Sequence, residues 1–227
     1  MRFPFAIFAN MIKNLIFDWG GVLSVSDHEA AVGRFKALGL RNAESYFKAG
    51  SNWQSIFGEV ESGKLSADEF LSAFSRLCGH PVSFAEVAYA WWGFFSHLQP
   101  GILQALDTWH HHYDIYLLTN NNPFMMSYIR SADFAPEGRP FCTYFRKMYV
   151  SCECHLAKPD PAIYRYVLND AHLQSSESFF VDDRFSNLEG AAQVGLATFL
   201  VKNGENWIPE FEQRLNSEPR QSSPPHS

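Results

Sequence analysis

The feature that most constrains this chain is a series of short apolar runs, each ending in polar residues and separated by helix-like segments. Leu15-Ile16-Phe17 runs into Asp18, and Ile115 to Leu118 into Thr119-Asn120-Asn121-Asn122. Met148-Tyr149-Val150 is a third run. Phe179-Phe180-Val181 ends in Asp182-Asp183-Arg184, and Ala197 to Val201 is a fifth. Between and after them the pattern predicts helices over Ile102–His112, Phe124–Ala132, a segment opened by Asp160 as N-cap and Pro161, Asn187–Val194, and Asn206–Leu215. Strands alternating with helices imply a parallel sheet with right-handed crossovers. Such a sheet collects ligands along the carboxyl ends of its strands. Asp18, Thr119, Lys158, Asp182 and Asp183 all fall at or just beyond such ends, so the fold is expected to gather them. Taken alone, Asp18 before Gly20-Gly21 reads equally as a nucleophile or metal ligand and as an Asp capping a turn.

One block breaks the alternation. From Asp27 to Leu98 the sequence predicts helices only. Asp27 caps the first, which Gly39 ends, and Ser66-Ala67-Asp68-Glu69 and Ser83-Phe84-Ala85-Glu86 are capping boxes. The expected organisation is therefore an α/β core of residues 11–26 and 99–216 with a helical cap of residues 27–98 inserted after the first strand. Residues 22–27 form a flexible loop in this reading. The block's aromatics read mainly as its own core. Trp53, Phe57, Trp91, Trp92 and His97 are the candidates for facing a substrate.

The 227 residues, 46% hydrophobic and 16% aromatic, suffice for a well-filled core. A formal charge of −6 without a basic stripe argues against a nucleic-acid partner. No apolar run reaches membrane-span length. The first ten residues resemble a stunted signal peptide without a cleavage site and read as an extension ahead of Met11, which gives a cytoplasmic protein. Residues 217–227 read as a disordered tail. The cysteines carry no secretory spacing, so reduced thiols are expected, and no second Cys/His pair partners Cys152-Glu153-Cys154-His155 at finger-like spacing, so it is not expected to hold zinc. His110-His111-His112 reads as a polar helix end. The oligomeric state is not encoded in any feature found.

Four motifs in order resemble the haloacid dehalogenase superfamily of phosphatases and related hydrolases: Phe17-Asp18-Trp19-Gly20-Gly21-Val22-Leu23; Leu117-Leu118-Thr119-Asn120; Lys158-Pro159-Asp160-Pro161-Ala162-Ile163-Tyr164; and Phe180-Val181-Asp182-Asp183-Arg184-Phe185-Ser186-Asn187. The helical insert is similar to the cap of the subfamily with a small helical lid, and the opening motif to the branch containing bacterial α-D-glucose-1-phosphate phosphatase. The resemblance implies a Rossmann-like core and hydrolysis of a small phosphorylated metabolite through an aspartyl-phosphate on Asp18. It implies Mg²⁺ held by Asp18, the Gly20 carbonyl and Asp183, with Asp182 joined through water. Thr119, the Asn120 backbone and Lys158 would hold phosphate, and Lys158 would offset the clustered carboxylates.

The pattern departs from the family at Gly20, where most phosphatases of the superfamily carry a second Asp as general acid and base. Three readings follow. The chain is a phosphatase for a substrate with a good leaving group, such as an anomeric sugar phosphate, with water, Asp27 or His28 assisting. Or it is a weak or lost catalyst that keeps a phosphate pocket. Or Asp18 attacks carbon, as in haloacid dehalogenases, which needs a cationic cradle; Arg34 and Arg41 are the only nearby arginines and read better as solvated helix residues, and Asp182-Asp183 would be poorly used.

Overall fold

The computed structural model describes residues 12–47 and 55–217. Met11 and the expected extension before it, Trp53, and the expected tail beyond Ser217 lie outside these. In chain order, β1 (Asn14–Phe17) and β2 (Ser24–Ser26) lead into helices α1 (His28–Ala37), α2 (Ala43–Phe47), α3 (Ile56–Glu61), α4 (Ala67–Cys78) and α5 (Phe84–Trp91). Then follow β3 (Phe95–Leu98), α6 (Ile102–His110), β4 (Asp114–Thr119), α7 (Pro123–Ile129), β5 (Lys147–Val150), α8 (Ser151–Cys154) and α9 (Pro161–Asp170). The chain closes with β6 (Ser178–Asp182), α10 (Phe185–Ala192), β7 (Ala197–Leu200) and α11 (Ile208–Ser217).

Five strands form one sheet in the order β5-β4-β1-β6-β7, and every pairing in it is parallel. Because side chains alternate along a strand, successive residues of β1 enter different cores. Leu15 and Phe17 join Leu117, Val181, Trp109 and Phe211 on one face. Ile16 joins Leu118, Phe180 and Tyr164 on the other. Phe17 stacks on Trp109 of α6 at 5.4 Å, and Phe211 of α11 meets it edge-on at 5.9 Å. With both faces covered the strands are apolar throughout, as in the sequence runs.

The helices α1–α5 enclose a separate cluster of Phe35, Phe57, Phe70, Phe74 and Trp91. Both expected capping boxes are present: Ser66 and Ser83 each accept the N–H of the glutamate three residues on, whose side chain returns to the cap. Asp27 caps α1 by accepting the Ala30 N–H at 2.9 Å.

The block through Leu98 is not all helical, and residues 22–27 are not simply a loop. Phe95–Leu98 pairs antiparallel with Ser24–Ser26 across a bulge between Val25 and Ser26. Strands this short and irregular leave no two-residue period in the sequence. Their pairing is supported by packing: Phe95 stacks on Trp19 at 5.8 Å, which buries the residue next to Asp18.

Close backbone approach fixes the segment carrying Lys158. A Cβ on Gly190 of α10 would lie 2.1 Å from the Pro159 carbonyl oxygen and 3.0 Å from the Tyr164 ring. Gly190→Ala is therefore expected to lower stability by about 1–3 kcal/mol through overpacking. Gly33, inside α1, has nothing within 4 Å of such a Cβ. Gly33→Ala is expected to raise stability by roughly 0.5–1 kcal/mol through helix propensity. Urea unfolding of the two variants, with opposite signs expected, checks the packing.

Candidate active site

β1 delivers Asp18 just past its last residue, and the Asp18 N–H continues the sheet by donating to the Val181 carbonyl at 3.0 Å. Asp18 Oδ1 accepts the Trp19 N–H at 2.7 Å and a proton of Lys158 Nζ at 2.9 Å. Its other oxygen has no hydrogen bond among the described residues. The turn after it uses the carbonyls of Trp19 and Ser24 as acceptors, not that of Gly20. Gly21 has φ +77°, and a Cβ there would lie 2.4 Å from Asp183 Oδ2, so only glycine fits beside that carboxylate.

Lys158 is 1% exposed. Its ammonium donates to the Leu118 carbonyl at 3.0 Å, Asp182 Oδ2 at 2.6 Å and Asp18 Oδ1 at 2.9 Å, which uses all three protons. Burial favours the neutral amine, but the two carboxylates override it and hold Lys158 above the ordinary lysine range. The Asn120 side chain clamps the same residue's main chain, donating to the Lys158 carbonyl at 2.8 Å and accepting its N–H at 2.9 Å. This use of Asn120 had no signal in the sequence beyond its place in the motif.

β6 delivers the acidic pair, and the two members differ sharply. Asp182 is fully buried and accepts four hydrogen bonds, from Lys158, the Arg184 N–H and twice from the Asn187 side-chain amide. Asn187, buried on α10, was not singled out from sequence; its spacing of five from Asp182 across a helix start is the available signal. Asp183 is partly open and has no hydrogen bond among the described residues. Burial, then the charges of Asp18 and Asp182, push its carboxyl up to about 7. Burial also raises Asp18, with Lys158 pulling it down and Asp182 adding to the rise. Oxygen atoms of Asp18, Asp182 and Asp183 lie within 4.8 Å of one another, and they are the only such acidic or metal-ligating cluster among the described residues. Three carboxylates against one ammonium suit a hard divalent cation with oxygen ligands.

β4 ends at Thr119, which is 2% exposed and whose hydroxyl makes no hydrogen bond to the described residues. Beyond it, Asn121 N–H goes to Ser151 Oγ and Asn122 N–H to Asn121 Oδ1, while Asn122 caps α7. The Asn120 N–H takes no part in these bonds. Asp18, Thr119, Asn120, Lys158, Asp182 and Asp183 thus meet at one sheet edge with Gly20 beside them.

The other candidates are placed differently. Phe57 and Trp91 are 3% and 4% exposed and belong to the core of the helical cluster. Trp92 packs against both that cluster and the sheet's core, 4.1 Å from Tyr128. His97 is exposed on β3. Asp27 is engaged as a cap. His28 is held below the usual histidine range by partial burial and by Arg184. Arg34 lies over the Tyr89 ring on the helical unit's surface. Arg184, adjacent to Asp183, is the arginine the sequence reading overlooked at this edge.

The model of the haloacid dehalogenase-like hydrolase family matches residues 12–195. A D-ribitol-5-phosphate phosphatase of Bacteroides thetaiotaomicron is 40% identical over 211 residues, covering 91% of this chain and all of that protein. A HAD-like family hydrolase from Porphyromonas gingivalis superposes with a TM-score of 0.86 at 32% identity, over 91% of this chain and 99% of its own. A HAD-family enzyme of Bacteroides thetaiotaomicron, crystallised with magnesium and inorganic phosphate, gives 0.81 at 33% identity over 88% and 99%. The chain belongs to the haloacid dehalogenase-like hydrolase family, and its parallel sheet is that family's α/β fold. No helix among the described residues is long and apolar enough to cross a membrane.

The raised Asp183 carboxyl makes metal binding and pH interdependent. Without metal, this group holds its proton to about pH 7 in the folded chain against an ordinary 3.8. Its contribution to stability is then full below the unfolded value and lost as pH rises through about 7. A cation held by Asp18 and Asp183 would bind the deprotonated form and would reverse that loss. Thermal melts are expected to show a larger Mg²⁺-induced rise in Tm at about pH 7.5 than at about pH 5.5. Equal rises at both would remove Asp183 from the ligand set.

Proposed function

We propose that this protein is a Mg²⁺-dependent phosphatase of small phosphorylated metabolites, with a phosphorylated sugar alcohol as the favoured class of substrate and the helices α1–α5 as its lid. The observation that carries this reading is the pairing of Asp18, one oxygen free, with Asp183, unpartnered and raised, beside a lysine already committed to balancing charge. The naming of a relative 40% identical as a D-ribitol-5-phosphate phosphatase, and magnesium with phosphate in a structural neighbour, support it.

In this reading Asp18, Asp183 and the Gly20 carbonyl would hold Mg²⁺, which would supply charge neutralisation at the transferring phosphoryl group. Asp182 has no lone pair to spare for direct ligation and holds Lys158, the Arg184 main chain and Asn187 in place. The free oxygen of Asp18 attacks phosphorus and the alcohol leaves, giving an acyl phosphate that water then hydrolyses. Thr119 Oγ1 and the Asn120 N–H are open to the phosphate oxygens. Lys158 has no proton free beforehand. Once Asp18 becomes an acyl phosphate and loses its charge, the proton it accepted can turn to a phosphoryl oxygen.

The substrate class moves away from an anomeric phosphate. A sugar-alcohol phosphate leaves as an ordinary alkoxide and asks more of proton transfer than Gly20 supplies. Of the two groups nominated for that task, Asp27 is engaged at the α1 cap, and His28, on the same turn, stands within electrostatic reach of Arg184.

Phosphate release from a pentitol phosphate, measured with Mg²⁺ and with chelator, tests the reading. Turnover is expected with Mg²⁺ only, and Asp18→Asn is expected to lower it by about 10³-fold or more. Absence of Mg²⁺-dependent release from any phosphate ester, or halide release from 2-chloropropionate in chelator, overturns it.

A further inference from the structure

The segment after β7 touches both halves of the acidic edge. The Val201 N–H donates to the Asp182 carbonyl at 3.1 Å, which ties the segment to the main chain just ahead of Asp183. Two residues on, the Asn203 side chain reaches the β2–β3 ribbon and meets Ser26 as a paired strand would. Its Oδ1 accepts the Ser26 N–H at 2.8 Å and its Nδ2 donates to the Ser26 carbonyl at 3.0 Å. Trp207 Nε1 donates to the Val22 carbonyl at 3.3 Å, while its ring packs 6.1 Å from Phe17 at the end of β1. The buried Gln99 completes the set, donating its N–H to the Leu23 carbonyl and its Nε2 to the Glu205 carbonyl, both at 2.9 Å. Residues 201–207 therefore brace the turn after Asp18 against the strand end that carries Asp183.

The braced turn passes its geometry on to the two glycines. Gly20 bridges to Ser24, and the Gly21 N–H donates to the Ser24 carbonyl at 2.8 Å. Ser26 Oγ lies 3.3 Å from where a Cβ on Gly20 would stand, and the Cβ position of Gly21 is 2.4 Å from Asp183 Oδ2. Contact thus runs from Asn203 through Ser26 to Gly20, from Gly21 to Asp183, and back from the Asp182 main chain through Val201. The circuit is closed, and the Asn203 amide is its one link made by a side chain to main chain on both counts. The ribbon is bulged between Val25 and Ser26, so strand register alone does not fix this corner.

Mg²⁺ demands near-ideal octahedral geometry, so the spacing of its oxygen ligands bears directly on affinity. We propose that Asn203 is a positioning residue for the metal edge: by holding Ser26 it sets the distance between the Gly20–Gly21 turn and Asp183, and with it the affinity for Mg²⁺. It touches neither metal nor substrate. The assignment rests on the phosphatase reading for the identity of the ligands, namely Asp18, the Gly20 carbonyl and Asp183. An amide suits the task because it carries an acceptor and a donor side by side, matching one residue's N–H and carbonyl; a carboxylate has no proton to give that carbonyl. Groups that orient metal ligands are typically worth about 10–100-fold in affinity. Asn203 acts through a further residue, so the lower end of that range is expected.

Asn203 is exposed, so truncating it opens no cavity. Calorimetric titration of the full chain with Mg²⁺, beside thermal melts in chelator, separates positioning from stability. Asn203→Ala is expected to weaken Mg²⁺ binding about tenfold, and Asn203→Gln, which carries the same amide on a longer stem, to weaken it less. Ser66→Ala, which removes the capping box of α4, is the control: a lower Tm with Mg²⁺ affinity unchanged. Turnover of a pentitol phosphate by Asn203→Ala is expected to recover as Mg²⁺ is raised to saturation, as an affinity defect does. Should circular dichroism show Asn203→Ala unfolded, Trp207→Phe takes its place; it loses the indole N–H but keeps a ring against Phe17, and weaker Mg²⁺ binding is again expected. Mg²⁺ affinity unchanged in the folded variant, whatever its Tm, overturns the assignment. An unsubstituted chain that binds Mg²⁺ yet releases no phosphate from any ester removes the phosphatase reading alone, and one that binds no Mg²⁺ removes both.

Discussion

One buried ammonium ion organises this molecule. Lys158 arrives on a loop, not a strand, and reaches a carbonyl of β4 and the carboxylates that follow β1 and end β6. Those three strands are adjacent in the sheet, so the lysine's three protons check that the order is correct. Without it, Asp18 and Asp182 would face each other in a site of low polarity, and breaking such a buried pair typically costs about 3–5 kcal/mol. The means of holding it are correspondingly thorough. Asn120 grips its main chain from both sides, and α10 approaches the following proline so closely that only glycine fits at position 190.

With Lys158 spent on Asp18 and Asp182, the third carboxylate is the one left over. Asp182 is saturated by donors and works as a structural anion. Asp183 has no hydrogen-bonded partner among the described residues and is pushed toward the neutral form. Neighbouring aspartates in the sequence are therefore placed oppositely, one saturated by protein donors and the other without a hydrogen bond among the described residues. The difference follows from β geometry: successive side chains leave a strand end in opposite directions, so one enters the core beside Lys158 and Asn187 and the other faces the glycine turn after Asp18.

What could be read beforehand follows the same physics. The five core strands announced themselves because buried parallel strands are continuous apolar runs, and several helices did because they open on side-chain caps, two of them capping boxes. The convergence of Asp18, Thr119, Lys158, Asp182 and Asp183 followed from one rule about strand ends. The two-stranded ribbon did not show, because three- and four-residue strands with a bulge have no period to detect. Asn187 and Arg184 stood in the fourth motif without a role attached to either. Their importance lies in which charges they meet across the fold, and polar residues on helix ends look alike until the tertiary contacts are known.

That ribbon bears on the departure at Gly20. A Cβ at Gly20 would lie 3.3 Å from Ser26 Oγ, so the ribbon's own hydroxyl occupies the margin where a second carboxylate's stem would begin. Ser26 is not free to retreat as a whole, because Asn203 bonds its N–H at 2.8 Å and its carbonyl at 3.0 Å. Asp at position 20 would also bring a further anion to a cluster whose one buried cation is already engaged. Glycine there, the ribbon against it and the glycine at position 21 yielding to Asp183 form one consistent packing solution. The edge keeps its cluster of three carboxylates without a fourth, and under the proposed phosphatase reading proton transfer at the leaving alcohol would fall to a group other than residue 20.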